Sequence, residues 1–268
     1  MMSRQFIKQL APSLHLYQYN KIPVLELDHA VGKAKIALQG AHLFSWQPAH
    51  CAQDVLWLSE IEPFQQGNAI RGGVPICYPW FGAGGTPFHG YARINLWELT
   101  DFDIRTEKVR LEFQLFSQEK NSLANITMEF SNELILSFQG SEKNAQVALH
   151  SYFNIGDITQ TKVHNLPEQC FNSLTKQSEI VSSTRTINEN VDCIYQLDNP
   201  LSVIEDPVYQ RQIEIEHLNA SEIVLWNPWH KPTSSMSETG YKTMVCVETA
   251  RIHQTLNDDV VAVKIRVK

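Results

Sequence analysis

Residues that could do polar chemistry crowd into one glycine-rich span of the chain. Arg71, Gly72 and Gly73 open it, His89, Gly90 and Arg93 close it, and Tyr78, Trp80, Phe81 and Phe88 lie between. Glycines let backbone approach a ligand closely. Arginine forks grip phosphate or carboxylate through paired hydrogen bonds, and aromatic faces can flank a sugar ring. The residue types therefore describe a pocket wall for a small polar anion, against the plainer alternative of a surface loop with incidental charges. Three further positions carry chemistry-bearing side chains. His150 ends the apolar run 146–149 and opens a turn holding Tyr152 and Phe153, which would place it at a pocket mouth, or in the core with a backbone partner. Glu248 is the only carboxylate in the apolar run 244–250, and a carboxylate there must find hydrogen-bond partners or face a cleft. Asp192, beside Cys193, Ile194 and Tyr195, is a further candidate polar group. Trp226 and Trp229 flank Asn227 and Pro228, where they could stack on a sugar or plug one end of a sandwich.

These groups need a scaffold, and the patterning describes one. Apolar and polar residues alternate in the runs 24–28, 35–38, 109–116, 126–130, 134–138, 146–150, 212–216 and 261–267. A period of two marks half-buried strands, and long amphipathic helical stretches are nearly absent. Many short strands separated by turn residues predict an all-β chain, a large antiparallel sandwich or barrel. Residues 173–190 are polar, yet strand-like runs resume on both sides, so a single domain over residues 1–268 is expected.

Composition narrows the function classes. A formal charge of −7 argues against a general nucleic-acid binder while leaving room for a local cationic pocket. Five widely spaced cysteines without a CxxC pair argue against a zinc knuckle or dithiol redox motif and suit reduced thiols. The first twenty residues show no apolar core of a secretory signal, and no run of about 18 apolar residues predicts a membrane span. A cytoplasmic, monomeric protein with no membrane or nucleic-acid partner is the expectation. Ten histidines invite a metal hypothesis, but no His-x-His occurs, so no metal is expected. His15, His29, His42, His50, His164, His217, His230 and His253 are read as surface or structural residues.

Eight short motifs, taken in order, resemble one family. They are Gly40-Ala41-His42-Leu43-Phe44-Ser45-Trp46; Val55-Leu56-Trp57-Leu58-Ser59; Ile70-Arg71-Gly72-Gly73-Val74-Pro75; His89-Gly90-Tyr91-Ala92-Arg93 with Trp97; Leu149-His150-Ser151-Tyr152-Phe153; Val191-Asp192 with Ile194-Tyr195; Trp226-Asn227-Pro228-Trp229; and Met244-Val245-Cys246-Val247-Glu248. Together they resemble the hexose-6-phosphate mutarotases (glucose-6-phosphate 1-epimerases) of the aldose 1-epimerase superfamily, from about residue 40 to residue 250. The resemblance implies a galactose-mutarotase-like supersandwich and a reaction without metal or other cofactor. It also implies that His150 is the general acid and Glu248 the general base. Arg71, His89, Arg93 and Asp192 are implied to bind a small-molecule sugar phosphate. Two departures stand out: Cys193 where the family commonly has arginine, and a short segment at 231–241. Both could alter substrate preference.

The implied chemistry is exchange of anomers. A base takes the C1 hydroxyl proton while an acid protonates the ring oxygen, and the open aldehyde rotates and recloses with the roles reversed. On reference values Glu248 would be ionised near neutrality, and a nearby carboxylate would help His150 keep its proton. Two alternatives remain open at this level. One is a mutarotase of unphosphorylated aldoses. The other is a noncatalytic carbohydrate-binding or sensing module on the same fold.

Overall fold

The computed structural model describes residues 3–268, so the first two residues of the N-terminal segment lie outside it. The chain is built from antiparallel strands, and its only helical pieces among the described residues are short 3₁₀ turns at Ala92–Ile94 and Gly240–Thr243. This is the antiparallel all-β architecture expected from the alternation of residues.

Three sheets form. The first, five-stranded, runs in sequence order from Arg4–Ala11 to His42–Pro48. The second has nine strands, with Glu98–Arg105 at one edge and Arg185–Thr186 at the other. The third has eight, and its centre pairs Val191–Gln196, Glu222–Asn227, Met244–Arg251 and Val147–Leu149 in that order. Nearly every predicted run lands in a strand. Residues 109–116 fall in Lys108–Phe116, residues 134–138 in Glu133–Gly140, and residues 261–267 in Val260–Val267.

Register explains how the main core forms. Leu111, Met128, Leu136 and Val263 stand side by side across four strands of the nine-stranded sheet, and all are buried. The alternate residues of the eight-stranded sheet that face them, among them Leu149, Val247, Leu225 and Tyr195, join the same apolar cluster. Because successive side chains point to opposite faces, the residues between these are forced to the other side of the eight-stranded sheet. Glu248, Trp226 and Asp192 occupy that second face. His217 sits in the core row next to Val263 and is tolerated because its ring nitrogens meet Thr249 Oγ1 at 2.7 Å and Ser202 Oγ at 3.1 Å. Among the described residues no helix is long and apolar enough to cross a membrane.

Phe138 is fully buried and packs on Tyr78 with ring centroids 5.1 Å apart, below the span that carries His89. Phe138→Ala should lower stability by about 3–5 kcal/mol through lost transfer energy and an unfilled cavity. Urea denaturation should show this as a lower midpoint with an unchanged slope, and a loss below about 1 kcal/mol would mean the site collapses to fill the gap.

Candidate active site

Glu248 and His150 are brought together by register. Leu149 pairs with Thr249 and Tyr152 with Cys246, so the break between these two short strands leaves His150 opposite Glu248. The break is held by backbone bonds from His150 N–H to Pro75 O, 3.0 Å, and from Val247 N–H to Ser151 O, 3.3 Å. His150 Nδ1 lies 3.4 Å from Glu248 Oε1. Behind the imidazole stands a stack of rings: Tyr152 lies 4.8 Å away and nearly parallel, and Trp57 stacks on Tyr152 at 6.0 Å. Trp226 meets His150 edge-on at 6.0 Å. The histidine therefore has little freedom to turn away from the carboxyl.

One cleft of about 280 Å³ is lined by all six residues singled out in the sequence: Arg71, His89, Arg93, His150, Asp192 and Glu248. That is near the lower end of ligand cavities, ~300 Å³, and suits a small molecule. Asp192 arrives because its backbone pairs with Trp226, whose other neighbour is Cys246, two residues from Glu248 on the same face. His89 has φ 62° and sits between Phe81 and Phe88, with its ring 5.7 Å from that of His150. The Gly82 amide donates to His89 Nδ1 at 3.0 Å, which leaves the neutral ring's proton on Nε2. Burial, with Arg93 and Arg71 adding to it, lowers His89 to about 3, so it enters the site as a neutral donor.

The two arginines differ in how much of their hydrogen-bonding capacity is free. Arg71 donates from Nε to Ser234 O at 3.0 Å, from Nη2 to Ser234 Oγ at 3.1 Å, and from Nη1 to the Tyr152 hydroxyl at 2.8 Å. Arg93 donates from Nη2 to Phe88 O at 2.7 Å, and its buried Nε has no partner. A guanidinium has five N–H donors, so Arg93 keeps the larger share for a ligand.

Protonation is where reference values mislead. Burial drives the Glu248 carboxyl well above the usual carboxylate range, and the Asp192 charge pushes the same way against Arg93. Burial also holds His150 well below an ordinary histidine, helped by His89, Arg71 and Arg93. An ionised Glu248 facing a protonated His150 is thus not the state that burial favours. The uncharged pair, carboxylic acid and neutral imidazole, is favoured because burial disfavours the charged form of each and neither has a full set of protein partners; Glu248 Oε2 and His150 Nδ1 are both buried without one.

Three sequence expectations are refined by these contacts. Cys193 follows Asp192 in an extended strand and so points to the back of the sheet, where it is buried; it does not face the cleft. Of the paired tryptophans, Trp226 lines the cleft, whereas Trp229 packs on Tyr241 at 5.1 Å. The segment at 231–241 matters more than its length suggested, since Lys231 and Thr233 line the cleft and Ser234 holds Arg71. Lys231 was missed because a lone lysine in a polar loop has no periodicity to read. Among the described residues no cluster of three or more His, Cys, Asp or Glu is placed to hold a metal ion.

A larger groove of about 880 Å³ crosses the same sheet beyond Ile194 and contains Glu222 and His253, 3.1 Å apart. Its carboxylate is already saturated by Ser221, the Ile252 amide and His253. It offers no free acid–base pair.

The chain belongs to the aldose 1-epimerase family, which residues 23–260 match. It is an aldose epimerase. More particularly, it is 54% identical over 257 residues, 95% of each chain, to a Haemophilus influenzae protein provisionally named glucose-6-phosphate 1-epimerase. Its fold matches the crystal structure of HI1317 with a TM-score of 0.99 and 57% identity over the whole of both chains. A provisionally named mutarotase from Salmonella typhimurium matches with a TM-score of 0.93 at 34% identity, over 98% of this chain and 96% of that one.

Because burial disfavours its charged form, His150 is expected to stay neutral in the free protein as pH falls through 6.5, where an ordinary histidine gains its proton. Imidazole NMR resonances of His150, assigned by their loss in His150→Asn, should show no titration step near that pH. A step there would mean that the cleft solvates a charged imidazole.

Proposed function

We propose that this epimerase interconverts the anomers of a hexose 6-phosphate, glucose 6-phosphate foremost, with His150 and Glu248 as the acid–base pair. The observation that carries the reading is the company this pair keeps. In a chain of net charge −7, the cleft around it is lined by Arg71, Arg93 and Lys231. Guanidinium and ammonium groups solvate a phosphate through charge-assisted bonds about twice as strong as neutral ones.

Glu248 takes the proton of the C1 hydroxyl while His150 delivers one to the ring oxygen. The C1–O5 bond breaks to the aldehyde, C1 turns about the C1–C2 bond, and the pair acts in reverse on the other face. This route needs the pair ionised, which burial by itself opposes. Substrate supplies what is missing: sugar hydroxyls donate to the carboxylate, and a phosphate offsets the cationic groups that disfavour a protonated imidazole. Asp192 and neutral His89 line the same cleft, which supports roles in accepting from and donating to ring hydroxyls. The carboxyl and imidazole together hold one transferable proton, which is all that each half of the cycle requires.

A second reading has its own support. Because Arg71 is already bound to Ser234 and Tyr152, it could serve mainly to shape the wall, as suits a mutarotase of unphosphorylated aldoses.

His150→Asn and Glu248→Gln should each lower kcat by at least roughly 10²-fold in folded protein, measured by NMR exchange of anomers. Near-normal turnover in either variant would remove that residue from the mechanism. Substrate charge is tested with Arg93, whose donors are the freer. Losing one charged contact should cost about 1.5–3 kcal/mol, or roughly 10- to 150-fold in kcat/KM. Arg93→Ala should impose that cost on glucose 6-phosphate and much less on glucose. Equal losses on both, or a wild-type enzyme equally efficient on free glucose, would favour the second reading.

A further inference from the structure

His42 lies outside the cleft lining, yet it is fully buried and bonded to the segment that presents Arg71. Residues 71–74 switch partners as they pass under the cleft. Arg71 O accepts from Ser59 N–H at 3.0 Å and Gly73 N–H donates to Trp57 O at 2.7 Å. One residue later Val74 N–H donates to Leu43 O at 2.8 Å, and Gly73 O accepts from Tyr152 N–H at 2.8 Å. Gly72 and Gly73 make the switch with φ of 125° and 61°, and neither has room for a side chain. A Cβ on Gly72 would lie 2.4 Å from Trp57 O, and one on Gly73 2.3 Å from Leu43 O. The turn directs the Gly72 carbonyl inward, where His42 Nε2 meets it at 2.7 Å.

That contact fixes the tautomer. A carbonyl only accepts, so Nε2 carries the proton and Nδ1 is bare, in keeping with a buried Nδ1 that has no partner. Burial, against the bond to Gly72 and with the Arg93 charge, lowers His42 to about 4, so the ring is a neutral single donor. The same short turn touches the second arginine. Gly40 N–H donates to Asn95 O at 2.8 Å, and a Cβ on Gly40 would lie 2.8 Å from Arg93 O.

We propose that His42 is a positioning residue for Arg71, and that the turn at residues 40–42 thereby sets the spacing of the two arginines in the cleft. This rests on Arg71 being a substrate-binding group. His42 touches no reacting atom; it holds the Gly72 carbonyl, and through it the backbone from which the Arg71 side chain reaches Tyr152 and Ser234.

The test is a double-mutant cycle between His42 and Arg71, read as KM and kcat for glucose 6-phosphate with thermal melting alongside. His42→Phe keeps the bulk and removes the donor, and it should raise KM about 10-fold with kcat changed less than about 3-fold. His42→Gln keeps an N–H that can reach the carbonyl and should restore most of the affinity. In the Arg71→Ala background His42→Phe should cost less than about 2-fold, because coupled residues are non-additive. A purely structural role predicts a lower melting temperature with KM unmoved, and that result overturns the proposal. So does a His42→Phe cost that persists undiminished without Arg71, or a His42→Gln variant as impaired as Phe. Should the Phe variant not fold, His42→Leu takes its place in the same cycle. An inert Arg71→Ala would count against the functional reading above, whereas full additivity counts against the positioning role alone.

Discussion

A carboxyl 1% exposed and an imidazole 7% exposed face each other across 3.4 Å with neither fully hydrogen-bonded, and most of the surrounding structure serves to hold that contact. Burying such groups without partners is unfavourable, and water entering the cleft would relieve it by solvating them apart. The arrangement survives because the strand carrying Glu248 lies between neighbours on both sides, with Val247 anchored in the core behind it. On the imidazole side, the stacked rings of Tyr152 and Trp57 leave His150 no easy alternative position. The core stabilises the sheet, and the sheet holds a pair that would not stay together unaided.

The charges around the pair follow from the same desolvation. Two arginines near a buried imidazole raise the cost of protonating it, while Asp192 raises the cost of ionising Glu248. The protein's own groups thus favour neutral partners. A polar, anionic ligand changes both balances at once, since it brings donors to the carboxylate and negative charge to the arginines. In the proposed mechanism, selectivity for an anionic sugar and readiness for proton transfer are two consequences of one electrostatic field. Under that proposal, fixed groups of this kind would lower the barrier because they need not reorganise during the reaction.

Loops place the remaining groups, but not loosely. Arg71 is tied to Tyr152 on the sheet and to Ser234 in the segment after Trp229, so two distant parts of the chain must agree on its position. Gly72 and Gly73 allow three backbones to meet beneath it, and His42 satisfies the carbonyl that this meeting would otherwise leave bare. A shift in any of these would reach the cleft through Arg71.

The sequence by itself determined the strands and singled out six polar residues that line one cleft. The alternation at residues 109–116 and 134–138 can be buried on one face only as strands, and a glutamate in the apolar run 244–250 has to be bonded or functional. Family-like motifs named His150 and Glu248 because local residue types are legible wherever chemistry restricts them. What only the tertiary structure decided is set by register and by burial. That His150 stands opposite Glu248, nearly one hundred residues away, follows from strand pairing that no local pattern encodes. That Cys193 turns away from the cleft while Asp192 faces it depends on which face of the sheet the core covers. Lys231 and Ser234 joined the site from a polar loop without periodicity, and His42 took its part through a single carbonyl. The protonation of the central pair was the least legible feature of all, because a pKa belongs to the surroundings of a group, and those exist only once the chain has folded.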